Sequence, residues 1–183
     1  MLKRLDRIQI AVPDRNSAER TVAEVFAAEL VIRDTAPPIR AKRSTMQAGT
    51  TLIEILEADG TGPIQDFVSK WGSGLFGVGF SVDDSEAAAR HLEKSGVRFE
   101  QSKEQLYLDP AATLGMRTVI STRHERTSVG AIKWAYEVTN VVADWKAASE
   151  RYARIFKLDA SKFSPITSKE FGYTGTLTLF DPP

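Results

Sequence analysis

Cysteine is absent from this chain of 183 residues, which excludes disulfides, thiolate nucleophiles and zinc–thiolate centres. The absence leaves the redox compartment open. An excess of either charge is missing too, since Lys plus Arg and Asp plus Glu each number 24. With no net field, neither nucleic acid nor an anionic membrane surface is an expected partner, and recognition has to be local. No apolar run approaches a signal peptide or a membrane span in length, and Lys3, Arg4, Asp6 and Arg7 charge the first residues. The expectation is a cytoplasmic location. Histidine occurs only twice. His91 falls inside a helical pattern beside Leu92, and His124 lies in the polar run RHERTSVG, so both are read as surface residues.

What the sequence does have is an internal repeat. LDRIQIAVPD from Leu5, GLFGVGFSVDD from Gly74 and KWAYEVTNVVAD from Lys133 are period-two apolar runs, each ending at an Asp suited to cap a helix. After Asp14 the apolar positions are Ala18, Val22, Val25 and Phe26, and after Asp144 the same offsets hold Ala148, Tyr152, Ile155 and Phe156. After Asp84 the pattern runs through Ala88 and Leu92 to Gly96, which predicts a shorter helix. Strand-like runs close the copies at residues 51–59, 116–122 and 176–182. Each copy reads β-α-β-β-β, an α+β fold of three tandem units. Residues 1–122 form a two-unit cleft domain in this reading, 123–130 a linker, and 131–183 a single unit, truncated or paired across a dimer. The Gly-rich stretch Gly60 to Gly74 is also read as a linker.

Tandem βαβββ units headed by LDRIQIAVPD resemble the vicinal-oxygen-chelate superfamily of glyoxalases, bleomycin-resistance proteins and extradiol dioxygenases. IEILEADGTGPIQDFVSKWGSGLFGVGFSVDD and the later LYLDP look most like its methylmalonyl-CoA epimerase branch. The resemblance implies a cleft in which four ligands, one from the first and one from the last strand of each unit, hold a divalent metal. Those positions fall here on Arg7, Glu54, Gly77 and Val119. Only Glu54 has a ligating side chain, because a guanidinium is a permanent cation with no lone pair to offer. No cofactor is therefore expected in the first domain, and an Arg7–Glu54 ion pair is expected where the metal would sit.

Strand alternation directs Ile8, Ile10 and Val12 to the helix and Arg7, Gln9 and Ala11 to the cleft. Likewise Phe76, Val78, Phe80 and Val82 face the helix, while Gly77, Gly79 and Ser81 face the cleft with Arg117, Val119 and Ser121. The candidate ligand-binding set is Arg7, Gln9, Glu54, Gly77, Gly79, Arg117 and Val119. Two glycines in a cleft strand admit two readings, close approach of a ligand or a weakened strand. Glu54 likewise reads either as a functional group or as a structural carboxylate paired to Arg7. In the third copy the equivalent positions are Glu137, a weak metal candidate, and Thr178, and Asn140 breaks the apolar pattern. Trp134, Tyr136 and Trp145 read as packing or interface residues.

The functional expectation is a binder of a small anionic or carbonyl-containing molecule with a degenerate metal site. The alternative is a metal-dependent lyase, isomerase or dioxygenase whose divalent metal lies in an incomplete second domain. The expected partners are a small-molecule ligand and either a second copy, as a homodimer, or further units of a longer tandem chain.

Overall fold

The structure, a computed structural model, describes residues 1–180. Strand β1 (Arg4–Ala11) leads through Asp14, whose carboxylate accepts the Ser17 amide, into α1 (Arg15–Phe26). Strands β2 (Glu29–Ala36), β3 (Ala41–Ala48) and β4 (Thr51–Ala58) complete the first unit. After α2 (Pro63–Trp71) the plan repeats as β5 (Gly74–Val82), α3 (Ser85–Lys94), β6 (Phe99–Ser102), β7 (Gln105–Leu108) and β8 (Thr118–Thr122). Here Asp84 accepts from Ala87 N, and α3 has 10 residues against 12 in α1. A free side-chain acceptor at each helix start satisfies an amide that no helical carbonyl can reach.

Residues 63–71 correct one expectation, since the stretch read as linker contains a helix. Pro63 opens it, Asp66 and Lys70 complement its two ends, and Ile64, Phe67 and Val68 pack beneath the sheet.

Both units contribute to one eight-stranded sheet in the order β2-β3-β4-β1-β5-β8-β7-β6. Strands β1 and β4 run parallel, as do β5 and β8, and the units join through the antiparallel β1–β5 pair. Five strand spacings separate β3 from β7, about 24 Å in a flat sheet. Arg43 on β3 nevertheless donates to Gln105 on β7 at 2.6 Å. The sheet therefore curls until its two halves face each other across an interior.

Alternation sorts the side chains as expected over most of the sheet. Ile8, Ile10 and Val12 pack with Val22 and Phe26 of α1, and Val78, Phe80 and Val82 with Leu92 of α3. Phe76 departs. The β1–β5 register passes from Gln9↔Gly77 to Ile10↔Leu75, so Phe76 is an extra residue in β5 and turns inward onto Ala11, Tyr107 and Val119. A second bulge, between Leu5 and Arg7, frees Asp6 from alternation and buries its side chain beside Arg7. Inserting one unpaired residue re-aims the side chains around it.

The third unit expected from the repeat is not formed as β-α-β-β-β: its helix is present and its first strand is not. Asp144 accepts from Lys146 N and Ala147 N to start α4 (Trp145–Phe156), and β9 (Ser164–Ser168) pairs with β10 (Tyr173–Leu177). Residues 133–144 form no strand, and Tyr136 and Val141 are exposed. Asn140 accounts for part of this, because its amide is taken by the Tyr152 hydroxyl of α4, which itself donates to Thr113 O. The closing strand ends at Leu177, and residues 181–182 of the expected run lie outside the described residues. Residues 123–130 are irregular in conformation yet well anchored. Arg126 reaches the buried Asp6 carboxylate at 2.7 Å, and Val129 bridges to Gly49.

Helix α4 supplies Ile155 and Phe156 to the buried cluster that holds Leu2, Phe80 and Leu92, with the Phe156 and Phe80 rings 6.3 Å apart. Truncating a fully buried phenylalanine costs about 3–5 kcal/mol. Phe156→Ala is therefore expected to lower the stability of the whole 1–122 sheet by that amount in urea denaturation. If α4 belonged to an independent unit, the sheet's transition would stay in place.

Candidate functional site

Glu54 is the centre of the interior. It lies on β4 between Gln9 of β1 and Thr45 of β3, and its carboxylate is completely buried. Oε1 accepts from Arg7 Nη1 at 2.7 Å, Gln105 Nε2 at 3.1 Å and Arg43 Nη1 at 3.2 Å, while Oε2 accepts from Gln9 Nε2 at 2.7 Å. The expected Arg7–Glu54 pair is thus present as part of a larger network.

Arg7 is shared between two carboxylates. Its Nη2 donates to Asp6 at 2.8 Å and to Ser121 Oγ at 2.7 Å, and Asp6 is closed from the other side by Arg126. Arg43 forks onto Asp34 of β2 through two 2.8 Å bonds, and Lys103 joins the same carboxylate at the surface. Tyr107 completes the chain by donating to Gln105 Oε1 at 2.7 Å. Burial opposes ionisation of Glu54, yet Arg7, Arg43 and the Gln9 amide hold its carboxyl below the ordinary value. Burial likewise opposes Asp6, and Arg7 and Arg126 hold it low. The Tyr107 phenol is driven well above its usual value, first by burial and then by the Glu54 charge.

The donor set does not fit a divalent cation. Where four oxygen or nitrogen ligands would have to converge, two guanidinium groups already neutralise the single carboxylate. Among the described residues no three His, Cys, Asp or Glu are grouped to hold a metal. In the third copy Glu137 is exposed with its carboxylate bonded to Thr139, and Thr178 lies one residue past β10. His91 contacts the Arg154 carbonyl and His124 the Glu104 carboxylate, both away from the interior network.

The two cleft glycines are covered by the chain's own side chains. A Cβ on Gly79 would overlap Arg7 Cγ, and one on Gly77 would stand 2.6 Å from Gln9 Oε1 and 3.1 Å from Arg117 Cβ. Glycine at these positions makes room for Arg7 and Gln9 to lie flat across β5.

Beside this network a cavity of about 920 Å³ opens, with Gln9, Phe76, Tyr107, Arg117 and Val119 among its lining residues. Of the seven candidate residues, Gln9, Arg117 and Val119 border it, Arg7 and Glu54 lie buried in the network, and Gly77 and Gly79 sit under side chains. The Arg117 guanidinium lies over the Phe76 ring, 4.5 Å from its centroid.

Sequence reasoning missed Arg43, Gln105, Tyr107, Asp6, Arg126 and Phe76. Alternation in AKRSTMQA and QLYL carried a signal for the first three, because Met46 and Leu106 face the helices and their neighbours therefore face inward. No such signal marks Asp6 or Phe76, since each occupies a bulge.

Arg7→Ala leaves Asp6 and Glu54 buried with fewer counter-charges, and is expected to cost about 3–5 kcal/mol in chemical denaturation. A depressed carboxyl stabilises the fold above its unfolded value, 3.8 for Asp6 and 4.5 for Glu54, and loses that contribution as pH falls through the folded value. Stability of the native chain should therefore fall below about pH 5, and the acid limb should flatten in Arg7→Ala. A limb unchanged by the substitution would place the acid sensitivity elsewhere.

A family model described as the glyoxalase, bleomycin resistance protein and dioxygenase superfamily matches residues 6–108. No curated protein matches the chain by sequence. Among solved structures, methylmalonyl-CoA epimerase from Mycobacterium tuberculosis is similar at 19% identity and TM-score 0.58, over 66% of this chain and 88% of that one. The Streptomyces coelicolor methylmalonyl-CoA epimerase, in complex with 2-nitronate-propionyl-CoA, aligns at 19% and 0.58 over 67% and 98%. A hypothetical protein from Bacillus halodurans aligns at 21% and 0.56 over 68% and 97%. At such identities the likeness concerns the fold alone. The family match spans more than half of the chain, and with its paired βαβββ units the chain belongs to the glyoxalase, bleomycin resistance protein and dioxygenase superfamily.

Proposed function

We propose that residues 1–122 form a metal-independent small-molecule binder of this superfamily. The cavity bordered by Gln9, Val119 and Arg117 takes a small anionic or carbonyl-containing molecule. The observation that carries this reading is the ion-pair network itself. Within residues 1–122 Glu54 is the one ligand-equivalent residue with a ligating side chain, and both of its oxygens already accept from Arg7, Arg43, Gln9 and Gln105.

The cavity supports the binding half of the proposal. Apolar walls with a few fixed polar groups are the usual form of a ligand site, and here Phe76 and Val119 supply the walls. An acyl-CoA, the kind of ligand in the Streptomyces coelicolor complex with 2-nitronate-propionyl-CoA, combines a carbonyl with anionic groups and is one candidate occupant.

Residues 131–183 are proposed as a derived half-domain that finds its complement in a second copy or in a longer tandem chain. Exposed Tyr136, Val141, Phe171 and Leu179 support this, as large apolar side chains gathered in one segment. Light scattering that gives a monomer mass at every concentration would remove the dimer from the proposal.

Metal content tests the main reading directly. Protein dialysed with and without Mn²⁺, Co²⁺ or Zn²⁺ and measured by plasma mass spectrometry is expected to hold substoichiometric metal in every arm. One metal per chain in any arm, lost in Glu54→Gln, sinks it.

A further inference from the structure

Among the described residues, the wall of the cavity contains one cation without a counter-ion. Arg98, which also lines it, is paired to Asp109 at 2.8 Å. Arg117 has no carboxylate within 4.0 Å among the described residues, although Glu93, Glu100 and Asp109 border the same cavity. Its guanidinium is half-buried against Phe76, an orientation that leaves its donors unused. Burial lowers its pKa and no neighbouring charge offsets the effect. A half-buried guanidinium without a partner is costly by itself and favourable once an anion meets it.

A second polar group faces the same place. The Glu54 carboxylate only accepts, so the Gln9 amide must turn Nε2 toward it, which leaves Oε1 on the opposite side. That oxygen has no partner among the described residues, and Gln9 lines the cavity. Gly77 joins the two groups, because the point where its side chain would begin lies 2.6 Å from Gln9 Oε1 and 3.1 Å from Arg117 Cβ. Gly77 is one of the ligand-equivalent positions, and the lack of a Cβ there lets Gln9 Oε1 and the root of Arg117 lie close together over β5.

Building on the proposed binding role, we infer that Arg117 and Gln9 form a two-point seat beside Gly77 for an organic anion that has an apolar body and one hydroxyl or N–H donor. Arg117 takes the anionic group by charge-assisted hydrogen bonds, Gln9 Oε1 accepts from the donor, and Phe76 and Val119 cover the apolar part. The anion is a carboxylate or a phosphate ester, which the guanidinium fork recognises alike.

The test is isothermal titration of the full chain with 3-phenyllactate, its neutral amide, 3-phenylpropionate, which lacks the hydroxyl, and phenyl phosphate. Phenyllactate is expected to bind about tenfold more tightly than either its amide or phenylpropionate, the scale of one well-placed hydrogen bond. Arg117→Ala should bring phenyllactate down to its amide and leave the amide unchanged. Gly77→Ala, shown by circular dichroism to be folded, should displace Gln9 Oε1 from the seat and abolish the preference for phenyllactate over phenylpropionate. Phenyl phosphate that binds more tightly than phenyllactate, and depends on Arg117, supports the seat and assigns a phosphate ester. Equal binding of acid and amide, no binding of either acid, or an unchanged affinity in Arg117→Ala overturns the seat. Metal content reports separately on the metal-independent reading, so the two can fail independently.

Discussion

A carboxylate completely removed from water governs this structure. An uncompensated charge in that position is prohibitive, and Glu54 is tolerable only because β1, β3 and β7 each bring donors to it. The curl of the sheet and the ion network therefore require each other. Arg43 and Gln105 reach Glu54 because the outer strands fold over the centre, and the polar interior is satisfied only in that closed form. Replacing such a network with apolar residues is often neutral or stabilising, so its presence is no measure of added stability, while its bonds do tie β1, β3 and β4 of the first unit to β7 of the second.

The network also divides the interior by chemistry. The side chains of Asp6, Arg7, Arg126 and Ser121 are matched to one another, with the neighbouring Ser81 Oγ left without a partner, and residues 123–130 close that side through Arg126. Toward Phe76, Tyr107 and Val119 the interior turns apolar and opens into the cavity. Gln9 stands on the boundary, one end of its amide committed to Glu54 and the other facing the open space. A saturated network beside an unsaturated cavity suits binding by shape and local polarity.

Much of this architecture was legible in the sequence because periodicity and caps are local. Asp14, Asp84 and Asp144 all start helices, and alternation in IQIAV correctly divides helix-facing from interior residues. The Arg7–Glu54 pair was legible through the superfamily resemblance, whose ligand positions fall on the first and last strands of one unit, and β1 and β4 do run side by side. Illegible were the features that depend on register or on distant neighbours. Bulges at Asp6 and Phe76 invert facing without changing composition, and the failure of residues 133–144 to form a strand reflects Asn140 and the absence of a pairing neighbour among the described residues. The glycines of β5 were seen as bare backbone, although their meaning lies in side chains projecting from another strand.

Those glycines tie substitutions on two strands together. Arg7 can lie across β5 only while position 79 lacks a Cβ, and Gln9 can turn only while position 77 does. A side chain at either glycine requires its opposite number on β1 to shrink or move, and a smaller residue on β1 leaves Glu54 or Asp6 with fewer donors. The pairs 7/79 and 9/77 therefore tolerate change together better than one position at a time.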